Sequence, residues 1–160
     1  MKRQIAFILM ISALPILFGG CRKSMKDFSF HYSMESVNNY KVAFSFDSKK
    51  TYKIEKYNYF MDNHANRQDP VIQEGSFTDE EYREAVKYLV ACNFFRMKDS
   101  YGFDKEPDDY LGNIIYQITF RNQGREKFIS IRNNDENLFP ATFIDLLKYV
   151  GNFLKTHPLP

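Results

Sequence analysis

The sequence predicts an α+β domain: a two-layer sandwich in which a mainly antiparallel sheet of about five to six strands carries two amphipathic helices on one face. Three observations lead there. Phe28, Phe30, Tyr32 and Met34 alternate with Ser29, His31 and Ser33, the period of a half-buried strand. Thr78-Asp79-Glu80-Glu81 stands before apolar residues at helical spacing, a capping box leading into a buried stripe. Asn122-Gln123-Gly124 separates two more alternating runs, as a hairpin turn does. The links between these segments are short, which suits antiparallel neighbours, and two such helices suffice to cover one sheet face.

In chain order, Ser36–Asn39 is turn-like and Tyr40–Asp47 alternates again, with Val42, Phe44 and Phe46 on one side. Asp47-Ser48-Lys49-Lys50 closes that hairpin. Thr51–Phe60 is a third strand with a broken phase, since Tyr52 and Ile54 share one parity and Tyr57 and Tyr59 the other. A bulge near Lys56, or an edge strand using both faces, accounts for that. Met61–Pro70 is polar and irregular, and Val71–Phe77 is one more short strand.

The helix announced by Thr78 has the stripe Tyr82, Ala85, Val86, Leu89 and Val90, a hydrophobic staple between Phe77 and Tyr82, and a stop at Asn93. Cys92 falls on the buried stripe and reads as a small hydrophobe. Phe94–Met97 packs under the sheet or extends it, and Lys98–Leu111 is a long polar loop. Gly112–Arg121 and Arg125–Arg132 form the second hairpin, with Ile114, Tyr116, Ile118, Phe120, Ile129 and Ile131 inward. After the loop Asn133–Asn137, Pro140 opens a last helix with the stripe Phe143, Leu146, Leu147, Val150 and Leu154.

The first residues follow a different logic. Lys2 and Arg3 precede Ile5–Phe18, an uncharged run interrupted by Pro15 and followed by Gly19 and Gly20. It falls short of the roughly 20 apolar residues that cross a bilayer, and its only polar residue is Ser12, which gives it no polar helix face. A basic start, a short apolar core and small residues together mark a secretory signal. Leu17-Phe18-Gly19-Gly20-Cys21 resembles the lipobox of bacterial lipoproteins, with Phe18 where the pattern has Leu. The resemblance implies cleavage before Cys21, a diacylglycerol on its thiol and an acylated (palmitate-bearing) new amino terminus. The expected organisation is a signal peptide over 1–20, a tether over 21–26 and a single α+β domain over 27–160. Arg22 differs from the Asp that retains some lipoproteins at the inner membrane, and RKSMK lacks the acidic run that sends others to the cell surface. The family pattern therefore implies lipid-anchored attachment to the outer membrane, facing the periplasm. The remainder loosely resembles small uncharacterised envelope lipoproteins.

Cleavage removes Lys2 and Arg3 from the 22 basic residues and leaves 20 against 20 acidic ones. A formally neutral chain has no overall field with which to gather nucleic acid, so no nucleic-acid partner is expected. With Cys21 committed to lipid, Cys92 has no cysteine to pair with, and the core holds the fold without a disulfide.

No catalytic or metal residues are assigned. The histidines His31, His64 and His157 fall on a strand, in a loop and in the tail, without the adjacent nucleophile and orienting group that catalysis requires. Asp99, Asp104, Glu106, Asp108 and Asp109 are the densest carboxylates, but Lys105 and Pro107 interrupt them; as a cation site they lack the glycine of an EF-hand loop. Asp62, His64, Asn66 and Asp69 are a weaker version of the same arrangement. No cofactor is expected.

Aromatic content is the remaining oddity, with 11 Tyr and no Trp. Tyr52, Tyr57 and Tyr59 sit among lysines, either as cross-strand packing or as a surface for an envelope protein or a glycan. The expectation is a membrane-anchored, non-enzymatic binding or accessory domain. The alternative is an envelope hydrolase or carbohydrate-active enzyme whose site assembles from the loops Met61–Pro70 and Asp99–Asp109, with paired carboxylates from Asp104–Asp109 and elsewhere.

Overall fold

The computed structural model describes residues 25–36, 39–59, 69–103, 114–132 and 139–158. The expected signal peptide at 1–20, Cys21, and positions 61–68 and 104–111 of the two expected loops lie outside the described residues. The fold is α+β, with one seven-stranded mixed sheet and two helices. The strands are β1 (Phe28–Ser36), β2 (Tyr40–Asp47), β3 (Thr51–Asn58), β4 (Val71–Ser76), β5 (Ser100–Tyr101), β6 (Ile114–Asn122) and β7 (Arg125–Arg132). The helices are α1 (Asp79–Cys92) and α2 (Ala141–Thr156), and Phe94–Arg96 forms a short 3-10 turn after α1. Across the sheet the order is β4-β3-β2-β1-β6-β7-β5, antiparallel throughout except for the parallel β5–β7 pair.

Two expectations need correction. The sheet has seven strands, not five to six, because β5 lies where the sequence reads as a polar loop. Its two residues pair with Ser130 and Ile131, and Ser130 N–H donates to the Asp99 carbonyl at 2.9 Å. Two residues are too few to show a periodic pattern. Nor is there a bulge at Lys56: β2 and β3 pair without a break from Phe46↔Tyr52 to Tyr40↔Asn58. β3 is not an edge strand either, since β4 pairs outside it. The tyrosines change parity because Tyr52 points to the core and Tyr57 to the opposite face.

One face of the sheet is apolar. Phe28, Phe30, Tyr32, Phe44, Phe46, Tyr52, Ile54, Ile118, Phe120, Ile129 and Ile131 are buried there. They form one core with Ala85, Leu89 and Cys92 of α1 and Phe143, Leu146, Val150 and Phe153 of α2. Helix rings meet this face directly: Phe153 lies 5.1 Å from both Phe44 and Tyr52, and Tyr82 stacks on Phe28 at 6.4 Å.

Local chemistry explains the boundaries. The Thr78 hydroxyl accepts from Glu81 N–H at 3.3 Å, while the Glu81 carboxylate accepts from Thr78 N–H at 2.8 Å. This reciprocal cap stabilises the helix start by about 1 kcal/mol. Phe77 and Tyr82 meet across it at 6.3 Å, and Asn93 ends α1 in the left-handed region at φ 47°. Val90, placed on the stripe by the sequence, is 53 % exposed. It lies about 100° around the helix from Leu89, past the edge of the face that Ala85, Leu89 and Cys92 define. In the β6–β7 turn, Gln123 and Gly124 both have positive φ, 50° and 75°, as a two-residue hairpin turn matched to strand twist requires. Asp47 Oδ1 accepts from Lys49 N–H at 2.8 Å and from the Thr51 hydroxyl at 3.0 Å, which shapes the β2–β3 turn.

Candidate functional site

Strand alternation places a second set of side chains on the face away from the helices. The rows are Ser29, His31, Ser33 and Glu35 on β1; Lys41, Ala43, Ser45 and Asp47 on β2; and Lys53, Glu55 and Tyr57 on β3. On the other side lie Ile115, Gln117, Thr119 and Arg121 on β6, and Glu126, Phe128, Ser130 and Arg132 on β7. The middle of this face is built from short polar side chains with longer ones to either side. Near Asp47, a shallow groove of about 690 Å³ is lined by Ser29, His31, Ser45, Thr51, Lys53 and Glu74 among others.

The Tyr52, Tyr57, Tyr59 trio separates. Tyr52 is 9 % exposed and packs at 5.2 Å from Phe77 and 5.1 Å from Phe153, so it serves the core. Tyr57 and Tyr59 stay together, their rings stacked at 6.2 Å with planes 27° apart. Tyr57 O–H donates to Glu55 Oε1 at 3.4 Å, and Lys53 Nζ lies 3.0 Å from the same oxygen. Lys41 Nζ sits 6.0 Å from the Tyr57 ring centre and 3.9 Å from Glu35. These partly exposed pairs add little stability, but they surround Tyr57, and the stacking contact carries Tyr59 beside it. Such a surface offers stacking area and hydrogen bonds together.

At the opposite side of the same face Phe128 is 49 % exposed, across from Thr119. The sequence signal for it was available: Phe128 has the parity opposite to the inward pair Ile129 and Ile131. Arg132 lies 4.7 Å above the Phe103 ring.

His31 sits half-buried near the centre of the face. Burial lowers its pKa below the ordinary imidazole value, with Lys41 acting the same way and Glu55 opposing both. A histidine harder to protonate when folded gives stability that is complete above its unfolded pKa and is lost as pH falls below it. We expect the urea midpoint to fall as pH drops below about 6.5, and the fall to be smaller in His31→Gln. An identical pH slope in the two proteins would show that His31 is not responsible.

Other sequence candidates resolve into structure. Cys92 is buried, its Sγ donates to the Thr142 carbonyl at 3.2 Å, and burial pushes its thiol pKa up to about 12. It is held as a protonated thiol, unsuited to nucleophilic attack. Asp99 pairs with Lys127. His157 stacks on Phe153 at 4.1 Å and lies 3.6 Å from Glu81. Asp104, Glu106, Asp108, Asp109, Asp62, His64 and Asn66 lie outside the described residues. Among the described residues no three His, Cys, Asp or Glu side chains converge as metal ligands, and no helix is long and apolar enough to cross a membrane.

No protein-family model matches the chain, and no curated protein does.

Proposed function

We propose that this is a lipid-anchored domain of a bacterial cell envelope, tied to the outer membrane through Cys21 and facing the periplasm. It acts by binding rather than by catalysis. In this reading the domain is a two-layer sandwich with helices on one side, and its open layer holds an envelope protein or a glycan. The observation that supports the binding part is the stacked Tyr57–Tyr59 pair, with Glu55 and Lys41 beside Tyr57, on the sheet face opposite to α1 and α2. The anchor part is supported by Gly19-Gly20-Cys21 after a short apolar run.

Two measurements test these parts separately. Intact mass of the protein from a bacterial envelope should show cleavage before Cys21 and added acyl chains, and Cys21→Ala should abolish both. An unmodified Cys21 in the wild type defeats the anchor. For binding, the wild type and a Tyr57→Ala, Tyr59→Ala double variant are compared by capture from detergent-solubilised envelopes and on immobilised glycans. Loss of the captured species in the double variant, with an unchanged melting temperature, is the expected result. Identical capture by both proteins removes the tyrosines from the binding surface.

A further inference from the structure

The tether joins the domain at one end of the sheet, between two hairpin turns. The Asp27 carbonyl accepts from Gln123 N–H at 3.2 Å, and the Phe28 carbonyl accepts from Ser48 N–H at 3.1 Å. The root of β1 is thereby tied to both the β6–β7 turn and the β2–β3 turn. Around it lies a depression of about 420 Å³, lined by residues that include Asp27, Lys49, Arg121, Gln123 and Arg125. Asp47 in this cluster is occupied by the turn it shapes, and Arg121 is paired with Glu126. Arg125 lies over Phe95, its Cζ 4.0 Å from the ring centre, and Lys49 is exposed.

Chain length limits how far this end can stand from an anchor. From Cys21 to Asp27 there are six residue steps, which span at most about 20 Å when fully extended. β1 then runs away from the tether for nine residues, about 30 Å. The far end carries Ser36, Tyr40, Asn58, Val71, Ile114 and Arg132, together with the Tyr57–Tyr59 pair. The tether itself contributes Arg22, Lys23 and Lys26, and basic residues beside an anchor are attracted to anionic headgroups.

We propose that the sheet end formed by the Ser48–Lys50 and Gln123–Arg125 turns rests on the phospholipid headgroup layer, so that the strands stand off the membrane and present the Tyr57–Tyr59 end outward. This rests on the reading of Cys21 as acylated. The bilayer is the occupant of this end because the tether is too short to place any large partner between them. A sheet lying with its open face flat on the membrane is the competing arrangement, and it would bury the tyrosines against lipid.

The test uses the full chain, processed in a bacterium and reconstituted into phosphatidylethanolamine–phosphatidylglycerol vesicles whose headgroups carry a quencher. A fluorophore is placed on Lys49→Cys or on Asn58→Cys. An acylated Cys21 is closed to the label, and Cys92 is buried with its thiol protonated. Quenching several-fold stronger at Lys49→Cys than at Asn58→Cys is expected. Equal quenching, as for a flat sheet, or stronger quenching at Asn58→Cys overturns the orientation. The intact mass of each sample separates the two ways of failing. Acylated protein with equal quenching defeats the orientation alone, whereas absence of acyl mass defeats the anchor and the orientation with it.

Discussion

Phe153→Ala should cost about 3–5 kcal/mol, the range for removing a buried aromatic ring. Phe153 is 5 % exposed and, with Phe143, Leu146 and Val150, fastens α2 to the sheet. Its ring lies 5.1 Å from each of Phe44, Tyr52 and Phe77, and stacks at 4.1 Å on His157. Truncation removes one side of every one of these contacts, and the surrounding rings are too constrained to close the gap. Domains of this kind have about 5–15 kcal/mol of stability in all, so the variant should melt roughly 10 °C or more below the wild type. Val90→Ala, at an exposed position of α1, should stay within about 0.5 kcal/mol. Chemical and thermal unfolding followed by circular dichroism reads both. A Phe153→Ala loss below about 1 kcal/mol would mean that this ring contributes little to the packing of α2.

The second large effect is expected at Gly75. Its partner in the sheet is Tyr52, and a Cβ built on Gly75 would lie 2.4 Å from the Tyr52 hydroxyl oxygen and 2.5 Å from Cζ. The Tyr52 ring covers the glycine and is walled by Phe77, Phe153 and His157 at 5.1–5.5 Å, so it cannot swing aside without disturbing them. Strand propensity alone makes Gly75→Val favourable. Overpacking predicts the reverse, a loss of about 1–3 kcal/mol. A double-mutant cycle decides between them: in a Tyr52→Ala background the cost of Gly75→Val should largely disappear. An equal cost in both backgrounds would show that the close approach is not its origin.

These two residues mark where sequence reasoning reached and where it stopped. The β1 and β2 alternation, the Thr78–Glu81 cap, the Gln123–Gly124 turn and the α2 stripe are local patterns, and each has its counterpart in the structure. Phe153 was missed because a stripe read through Leu147 and Leu154 is shifted around the helix. Its true centre runs through Phe143, Leu146, Val150 and Phe153. Tyr52 and Tyr57 look alike in sequence, each flanked by lysine, yet one closes the core and the other stands on the open face. With no bulge between them the odd spacing of five puts them on opposite faces, and whether a strand pairs without a break depends on its partner strands.

The α+β class, the position of most strands, both helices and the turn chemistry follow from local patterns, because periodicity and capping act over a few residues. The proposed anchor likewise rests on a local pattern, Cys21 and the short apolar run before it. Only the tertiary structure shows that β5 joins β7 in parallel, that Gly75 lies under Tyr52, and that the root of β1 is held by bonds from Phe28 and Asp27 to turns 20 and 96 residues further along the chain. Contacts of that separation leave no periodic trace, since they are fixed by which strands lie side by side and not by any strand's own pattern.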